Sequence, residues 1–184
     1  MLPATIATDR LTLEACEYAF PEHVHWLNDR RHMQYSEQRH LVHSLKSQQD
    51  YVQTCSKSLH VALWNIRSKK EKTIGTVTAD IDFNNQVGDV GILIGPTFNG
   101  YGYGKEAFGA ATRWLFDPSA LRLRKVEGGC MENNRAMQMI FLYCGFSLEG
   151  RREKHFLSHG KPLDCLLFGR LADTKYTERL SPAT

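Results

Sequence analysis

Apolar and polar residues alternate in several short stretches in the first half of this chain, and a period of two predicts β-strands. Four stretches alternate in this way: residues 10–15, 59–66, 74–83 and 87–94. Short polar segments such as Asn84-Asn85 separate the last three, so these predict an antiparallel meander. Residues 20–56 lie between the first strand and the meander. They are rich in charge and histidine and predict helices, with Pro21 at a helix start.

In the second half the apolar period changes to that of a helix. One predicted helical face carries Ala107, Ala110, Ala111, Trp114 and Leu115, and a second carries Ala136, Met139, Ile140, Tyr143 and Cys144. A strand over residues 123–131 separates the two helices, and a hairpin of residues 146–157 and 163–171 follows them. The order β, helices, βββ, α, β, α, ββ predicts an α/β protein with a mixed sheet and helices on its faces.

A glycine-rich segment, residues 99–107, connects the third meander strand to the first helix of the second half. In such a loop, successive backbone N–H groups and the free N–H groups of the first helical turn form a pocket for phosphate oxygens. The spacing fits neither a Walker loop, which needs Ser or Thr where Glu106 stands, nor a dinucleotide fingerprint, which needs a longer interval before Gly104. The glycines alone leave two alternatives open: a site for a phosphorylated cofactor, or a helix start without a ligand.

Composition narrows the class of protein. The chain has 184 residues, 42% of them hydrophobic and 23% charged, which is typical of one globular domain, here taken as residues 1–184. A net charge of +3 does not indicate a nucleic-acid partner. Five cysteines without a Cys-x-x-Cys motif predict free buried thiols in a reducing compartment. Because no signal peptide or membrane-length apolar run is seen, we expect a cytoplasmic protein without a membrane partner.

Two further motifs complete a pattern. The glycine loop has the form Asn99-x-x-Gly102-x-Gly104, and Asn134 precedes a predicted helix that ends eleven residues later at Gly145-Phe146. Over about residues 8–172 the chain resembles the GNAT superfamily of acetyl-CoA-dependent N-acetyltransferases. Further segments are similar to the branch that holds the ribosomal-protein (Rim-type) and sugar-nucleotide N-acetyltransferases: Trp26-Leu27-Asn28-Asp29, Glu149-Gly150-Arg151, His159-Gly160 and Asp164.

The resemblance implies a GNAT-like acyltransferase fold, a mostly antiparallel sheet splayed in the middle with helices on both faces. It implies acetyl-CoA as co-substrate and no metal. The pantetheine arm is expected to pair with the backbone of residues 92–94 and to contact Asn134, while the N–H groups of residues 100–105 bind the pyrophosphate. The implied cofactor-binding residues are Ile92, Leu93, Ile94, Asn99, Gly100, Tyr101, Gly102, Tyr103, Gly104, Lys105, Asn134 and Phe141.

The chain departs from the family pattern where the leaving thiolate would be protonated. Many members have a tyrosine four residues before the glycine that ends the helix, and here that position is Phe141. Tyr143 is the catalytic alternative, but it lies about 200° around the helix from Phe141 and falls on the predicted apolar face, so we expect a core residue. Asp89 lies where many relatives carry a general base; the alternative is an ordinary turn or edge aspartate.

The resemblance also suggests an acceptor. The histidine-rich N-terminal region would form one wall of the acceptor site, with Trp26, Asn28 and Tyr35 as candidate contacts. We expect a small-molecule primary amine, by preference an amino sugar of a sugar nucleotide. The alternatives are the N-terminal amine of a protein, or a module that binds CoA without catalysis. The cations Arg122, Arg124 and Lys125 either lie in solvent or meet the 3′-phosphate of CoA. The protein is expected to be a monomer or a homodimer.

Overall fold

The computed structural model describes residues 3–70 and 72–172, which form an eight-stranded sheet and four α-helices. The strands are β1 (Ile6–Ala7), β2 (Leu11–Ala15), β3 (Val61–Ser68), β4 (Thr73–Asp82), β5 (Val87–Ile94), β6 (Lys125–Met131), β7 (Ser147–Ser158) and β8 (Lys161–Leu171). The α-helices are α1 (Pro21–Asn28), α2 (Leu45–Lys57), α3 (Tyr103–Phe116) and α4 (Arg135–Tyr143). Short 3₁₀ turns cover His32–Tyr35, Glu37–His40 and Pro96–Phe98.

The strands follow the order β1-β2-β3-β4-β5-β6-β8-β7 across the sheet. Every neighbouring pair is antiparallel except β5 and β6, which run parallel. The antiparallel meander and the C-terminal hairpin predicted from the sequence are therefore confirmed, as is the mixed, mostly antiparallel sheet.

Both faces of the sheet are covered. On β3, Trp64 belongs to the main hydrophobic core with residues of α3 and α4, whereas its neighbour Leu63 packs with Val52 and Cys55 of α2. Since successive strand residues point to opposite faces, α3 and α4 cover one face and α2 covers the other. The prediction of helices on both faces is confirmed.

The predicted buried face is observed in α3 but not in α4. In α3 the predicted residues Ala107 and Leu115 are buried. In α4 the buried residues are instead Gln138 and Phe141, while Tyr143 is 68% exposed. Apolar residues occupy nearly the whole circumference of α4, so the pattern alone could not select the buried face, and the prediction that Tyr143 is a core residue is wrong.

The cysteines are free thiols, as predicted: Cys16, Cys55, Cys130 and Cys165 are buried and Cys144 is half-buried. Within the described ranges, no helix is long and apolar enough to cross a bilayer.

Candidate active site

The sheet opens between β5 and β6. These strands pair at only three positions, and the last of these joins Asp89 to Glu127. Beyond that rung β5 stays paired with β4 as far as Ile94, and β6 stays paired with β8 as far as Met131. The facing edges therefore carry backbone N–H and C=O groups that no strand of the described chain satisfies. Such edges accept an extended ligand as an added strand.

The glycine loop lies at the open end of this gap, directly after β5. Gly100 and Gly102 have φ angles of 84° and 77°, in the left-handed region that favours glycine. Gly102 is also the N-cap of α3, and its carbonyl accepts the first helical hydrogen bond from Glu106. Among the described residues, the backbone N–H groups of residues 100–105 find no hydrogen-bond acceptor. Free N–H groups at the positive end of a helix dipole form an anion site.

Arg10 holds this loop from the side. Its Nη1 donates to the Tyr101 carbonyl at 2.9 Å, and its Nε and Nη2 donate to the Glu106 carboxylate at 2.7 and 2.6 Å. Because the peptide bond is planar and trans, fixing the Tyr101 carbonyl also points the Gly102 N–H away from Arg10. Burial alone would raise the pKa of Glu106, but hydrogen bonds from Thr8 and Arg10 outweigh it and lower that pKa. Arg10 thus fixes the position of the glycine loop.

Phe141 fills the space beneath the gap. It is fully buried, stacks on Phe168 at 4.7 Å between ring centroids and meets Phe108 edge to face at 5.5 Å. A Cβ added at Gly128 on β6 would lie only 3.0 Å from the Phe141 ring and 3.1 Å from the Val90 carbonyl oxygen, so the glycine permits this close approach. The expectation that Phe141 contacts the cofactor is corrected, since the ring has no exposed surface and serves packing.

Asp89 lies where the gap closes, in a row of carboxylates across three strands. In the sheet register it is flanked by Asp80 on β4 and Glu127 on β6. Asp89 is open to solvent on one side, yet partial burial between the strands, helped by the charges of Glu127 and Asp80, raises its pKa to about 6. A carboxylate with a pKa near the working pH suits a general base. Within the described ranges, no group of three or more His, Cys, Asp or Glu side chains is placed to hold a metal ion.

A cavity of about 620 Å³ lies on the face covered by α1 and α2. Its walls include His23 and Leu27 of α1, Tyr51 of α2, and Gly91 and Leu93 of β5. Asp89, Gly91 and Leu93 alternate along one strand and so share this face. The cavity and the carboxylate row are therefore neighbours along β5.

The predicted acceptor contacts have other positions. Trp26 is 9% exposed and lies against Gly95 and Phe98, where it supports the turn before the loop. Asn28 holds His43 by two backbone hydrogen bonds, at 2.8 and 2.9 Å. Tyr35 is not among the cavity residues.

The sequence reasoning missed His23 and Leu27, which lie one helical turn apart on α1 and face the cavity. The available signal was the cluster of histidines, because His23 and His43 both line this cavity.

Three other predicted residues lie at helix ends or on a helix surface. Asn134 caps α4 by accepting from the Met137 N–H at 3.2 Å. Asn99 follows the 3₁₀ turn that leads into the loop. Tyr143 lies on the outside of α4, where the Lys105 ammonium is 3.9 Å from its ring centroid. Phe141 faces the floor of the gap, so Tyr143 points away from the reacting groups and its catalytic candidacy is not supported by this geometry.

Cations collect beside the loop rather than where the sequence suggested. Lys125 pairs with Val87 at the closed end of the gap, about 23 Å along β5 from Ile94 at ~3.3 Å per residue, so the Arg122–Lys125 cluster is remote from the loop. A cleft outside α3 instead carries Arg10, Lys105, Arg113 and Arg170. This cleft adjoins the free N–H groups and extends the positively charged surface.

Comparison with known proteins agrees with this geometry. The family model for the acetyltransferase (GNAT) domain matches residues 10–147. A search of curated proteins gives no match. Among solved structures, a spermidine N-acetyltransferase from Vibrio cholerae in complex with CoA and spermine is similar at 20% identity and a TM-score of 0.78. The alignment covers 92% of this chain and 99% of that one.

Two further structures show the same fold. The ribosomal L7/L12 alpha-N-protein acetyltransferase RimL in complex with CoA is 19% identical, with a TM-score of 0.77 and coverage of 92% and 99%. The microcin C7 self-immunity acetyltransferase MccE with acetyl-CoA and AMP is 20% identical, with a TM-score of 0.75 and coverage of 89% and 93%. The family match extends over most of the chain and includes the gap and the loop. The chain therefore belongs to the acetyltransferase (GNAT) family.

Proposed function

We propose that this enzyme transfers the acetyl group of acetyl-CoA to a primary amine that enters from the cavity on the α1 and α2 face. The observation that carries the proposal is the parting of β5 and β6 directly after the Asp89–Glu127 rung. It leaves an open strand edge from Asp89 to Ile94, about 17 Å long at ~3.3 Å per residue, with the phosphate loop at one end and a carboxylate at the other.

Each part of the gap has a role in this proposal. The free N–H groups of residues 100–105 would hold the pyrophosphate, and the edge of Ile92–Ile94 would hold the pantetheine arm. Asn134 would contact that arm through its amide nitrogen, because its oxygen caps α4. Acetyl-CoA supplies an activated acyl group, and placing it beside the amine provides much of the rate.

Asp89 would act as the base. It would take a proton from the incoming ammonium, directly or through water, so that the amine nitrogen can form a bond to the acyl carbon. A backbone N–H on the open edge of β5 would stabilise the oxyanion, and the carbon–sulfur bond would then break. The attacking nitrogen would release its second proton to solvent to leave a neutral amide, and the departing thiolate would take a proton from solvent, since Phe141 has none to give.

The residues that line the cavity limit the class of acceptor that fits it. The sequence preference was a sugar nucleotide, but among the described lining residues there is no Lys or Arg to meet a diphosphate. The lining supports a smaller uncharged body instead.

The free thiols suit a reducing compartment such as the cytoplasm.

A thiol-release assay with acetyl-CoA and a broad panel of primary amines tests the proposal. Wild-type protein should release CoA thiol with at least one amine, and Asp89→Asn should lower kcat by about 10²-fold or more. Glu153→Gln, on the solvent side of β7, is the matched control and should leave turnover unchanged. Thermal stabilisation by acetyl-CoA without thiol release from any amine would favour the non-catalytic module, the alternative that Phe141 supports.

A further inference from the structure

The cavity between α1, α2 and the sheet has a neutral lining. Among the described residues that line it there is no Asp, Glu, Lys or Arg. Apolar side chains such as Leu27, Met33 and Leu63 alternate with neutral polar groups such as Gln48 and Thr78. A ligand with phosphates, or with ammonium groups beyond the one that reaches the carboxylate row, would bring charges into a lining that offers them no counter-charge, and burying unpaired charge is costly.

One buried side chain in this lining lacks a partner. His23 is 8% exposed, stacks on Phe20 at 5.1 Å, and has no hydrogen bond from either ring nitrogen to any described residue. Its neighbour His43 differs, because Gln48 lies 3.0 Å from its Nδ1 and the Gln38 carbonyl 3.2 Å from its Nε2. His23 lines the cavity, so a ligand in the cavity is the natural hydrogen-bond partner for its ring nitrogens. Burial, helped by His43, lowers the pKa of His23 to about 4, and the ring is neutral near pH 7.

Gly91 leaves the middle of the cavity floor open. A Cβ added there would meet nothing within 4 Å, and the residue directly across on β4 is Thr78. Gly91 is also two residues from Asp89 on the same face of β5. A bulky group can therefore lie over Gly91 while an attached amine reaches Asp89.

We propose that the acceptor is an arylalkylamine-like primary amine, with an apolar uncharged body that lies over Gly91 and one neutral polar group that hydrogen-bonds His23. This inference rests on the proposed function and adds the substrate class. His23 is on this account a specificity-determining residue and takes no part in the chemistry.

Calorimetric titration into CoA-saturated protein tests the inference without requiring turnover. The probes are 2-phenylethylamine, its three ring-hydroxylated isomers, spermidine and a uridine-diphosphate amino sugar. The phenylethylamines should bind more tightly than spermidine and the nucleotide sugar. The best hydroxylated isomer should exceed its parent by about tenfold, the worth of one buried neutral hydrogen bond. That advantage should vanish in His23→Leu and persist in His23→Gln.

A second variant probes the floor. Gly91→Val should abolish binding of the amines, while its unfolding midpoint should match that of Gly150→Val, a strand glycine on β7 whose added Cβ meets only Leu167 at 3.7 Å. The inference is overturned if spermidine or the nucleotide sugar binds more tightly than the phenylethylamines, or if the hydroxyl advantage survives His23→Leu. Thiol release from any amine would still uphold the proposed function in that case. Selective binding of the phenylethylamines without thiol release would uphold the acceptor class and overturn the proposed function.

Discussion

Replacing Gly102 with alanine should separate the strain in the phosphate loop from its binding role. At a φ of 77°, a residue with a Cβ costs roughly 1–2 kcal/mol. The space itself is open, because the added Cβ would meet only Arg10 Nη2 at 3.6 Å. We expect the strain to lower the stability of the variant and the loop to relax in part, which turns the Gly102 N–H away from the pyrophosphate. A hydrogen bond to a charged group contributes about 1.5–3 kcal/mol, so relaxation predicts acetyl-CoA binding weaker by about 10- to 100-fold.

Gly160 offers a matched control for this experiment. It has a φ of 74°, its added Cβ would meet nothing within 4 Å, and it lies in the turn between β7 and β8. Gly160→Ala therefore introduces the same backbone strain away from the loop. Urea unfolding should show a similar loss of stability in both variants, while calorimetry with acetyl-CoA should show weaker binding only in Gly102→Ala. Equal acetyl-CoA affinity in the two variants would refute the assignment of the loop as the pyrophosphate site.

Three further variants test the remaining groups. The kcat/KM of the wild type should fall as pH drops through about 6, because the Asp89 carboxyl, whose pKa is raised to that value, then takes up a proton. Asp89→Asn should remove this fall on the acid side of the pH profile. If the fall is unchanged in the variant, it belongs to another group. Arg10→Lys keeps the charge but loses the guanidinium that hydrogen-bonds Tyr101 and Glu106 at once, so KM for acetyl-CoA should rise about tenfold with kcat retained. A fall in kcat alone would contradict a positioning role. Tyr143→Phe should keep turnover within about twofold, because phenylalanine preserves the contact with Lys105, and a loss near 10²-fold would restore Tyr143 as the general acid.

The sequence was most informative where one local rule determined the structure. Alternation of apolar residues located the meander, and the glycine-rich segment located the loop before α3, where the structure has Gly102 as the N-cap with a positive φ. Neither feature depends on distant residues. The mixed sheet followed from the order of elements, and the opening in its middle was expected from the family resemblance.

The register of α4 and the acceptor wall depend on tertiary contacts that no local pattern contains. Phe141 is buried where Gly128 on β6 lets its ring approach the strand, whereas Tyr143, about 200° around the helix, is exposed. On α1, Trp26 is turned toward Gly95, which leaves His23 to face the cavity. Both outcomes require knowledge of which glycine lies across from which ring.

A phenylalanine at position 141, where many relatives have a tyrosine, is tolerable if protonating the leaving thiolate is much easier than deprotonating the attacking amine. An alkylammonium has a pKa of ~10.4, so near pH 7 fewer than about one amine in 10³ is free to attack. Removing that proton costs about 4–5 kcal/mol at ~1.36 kcal/mol per pH unit. A simple thiol has a pKa of ~8.5, so a departing thiolate takes a proton from neutral water favourably without a dedicated acid. In the proposed mechanism Asp89, whose pKa is raised, is the base and Phe141 serves only packing, so the protein would contribute at the step with the larger cost.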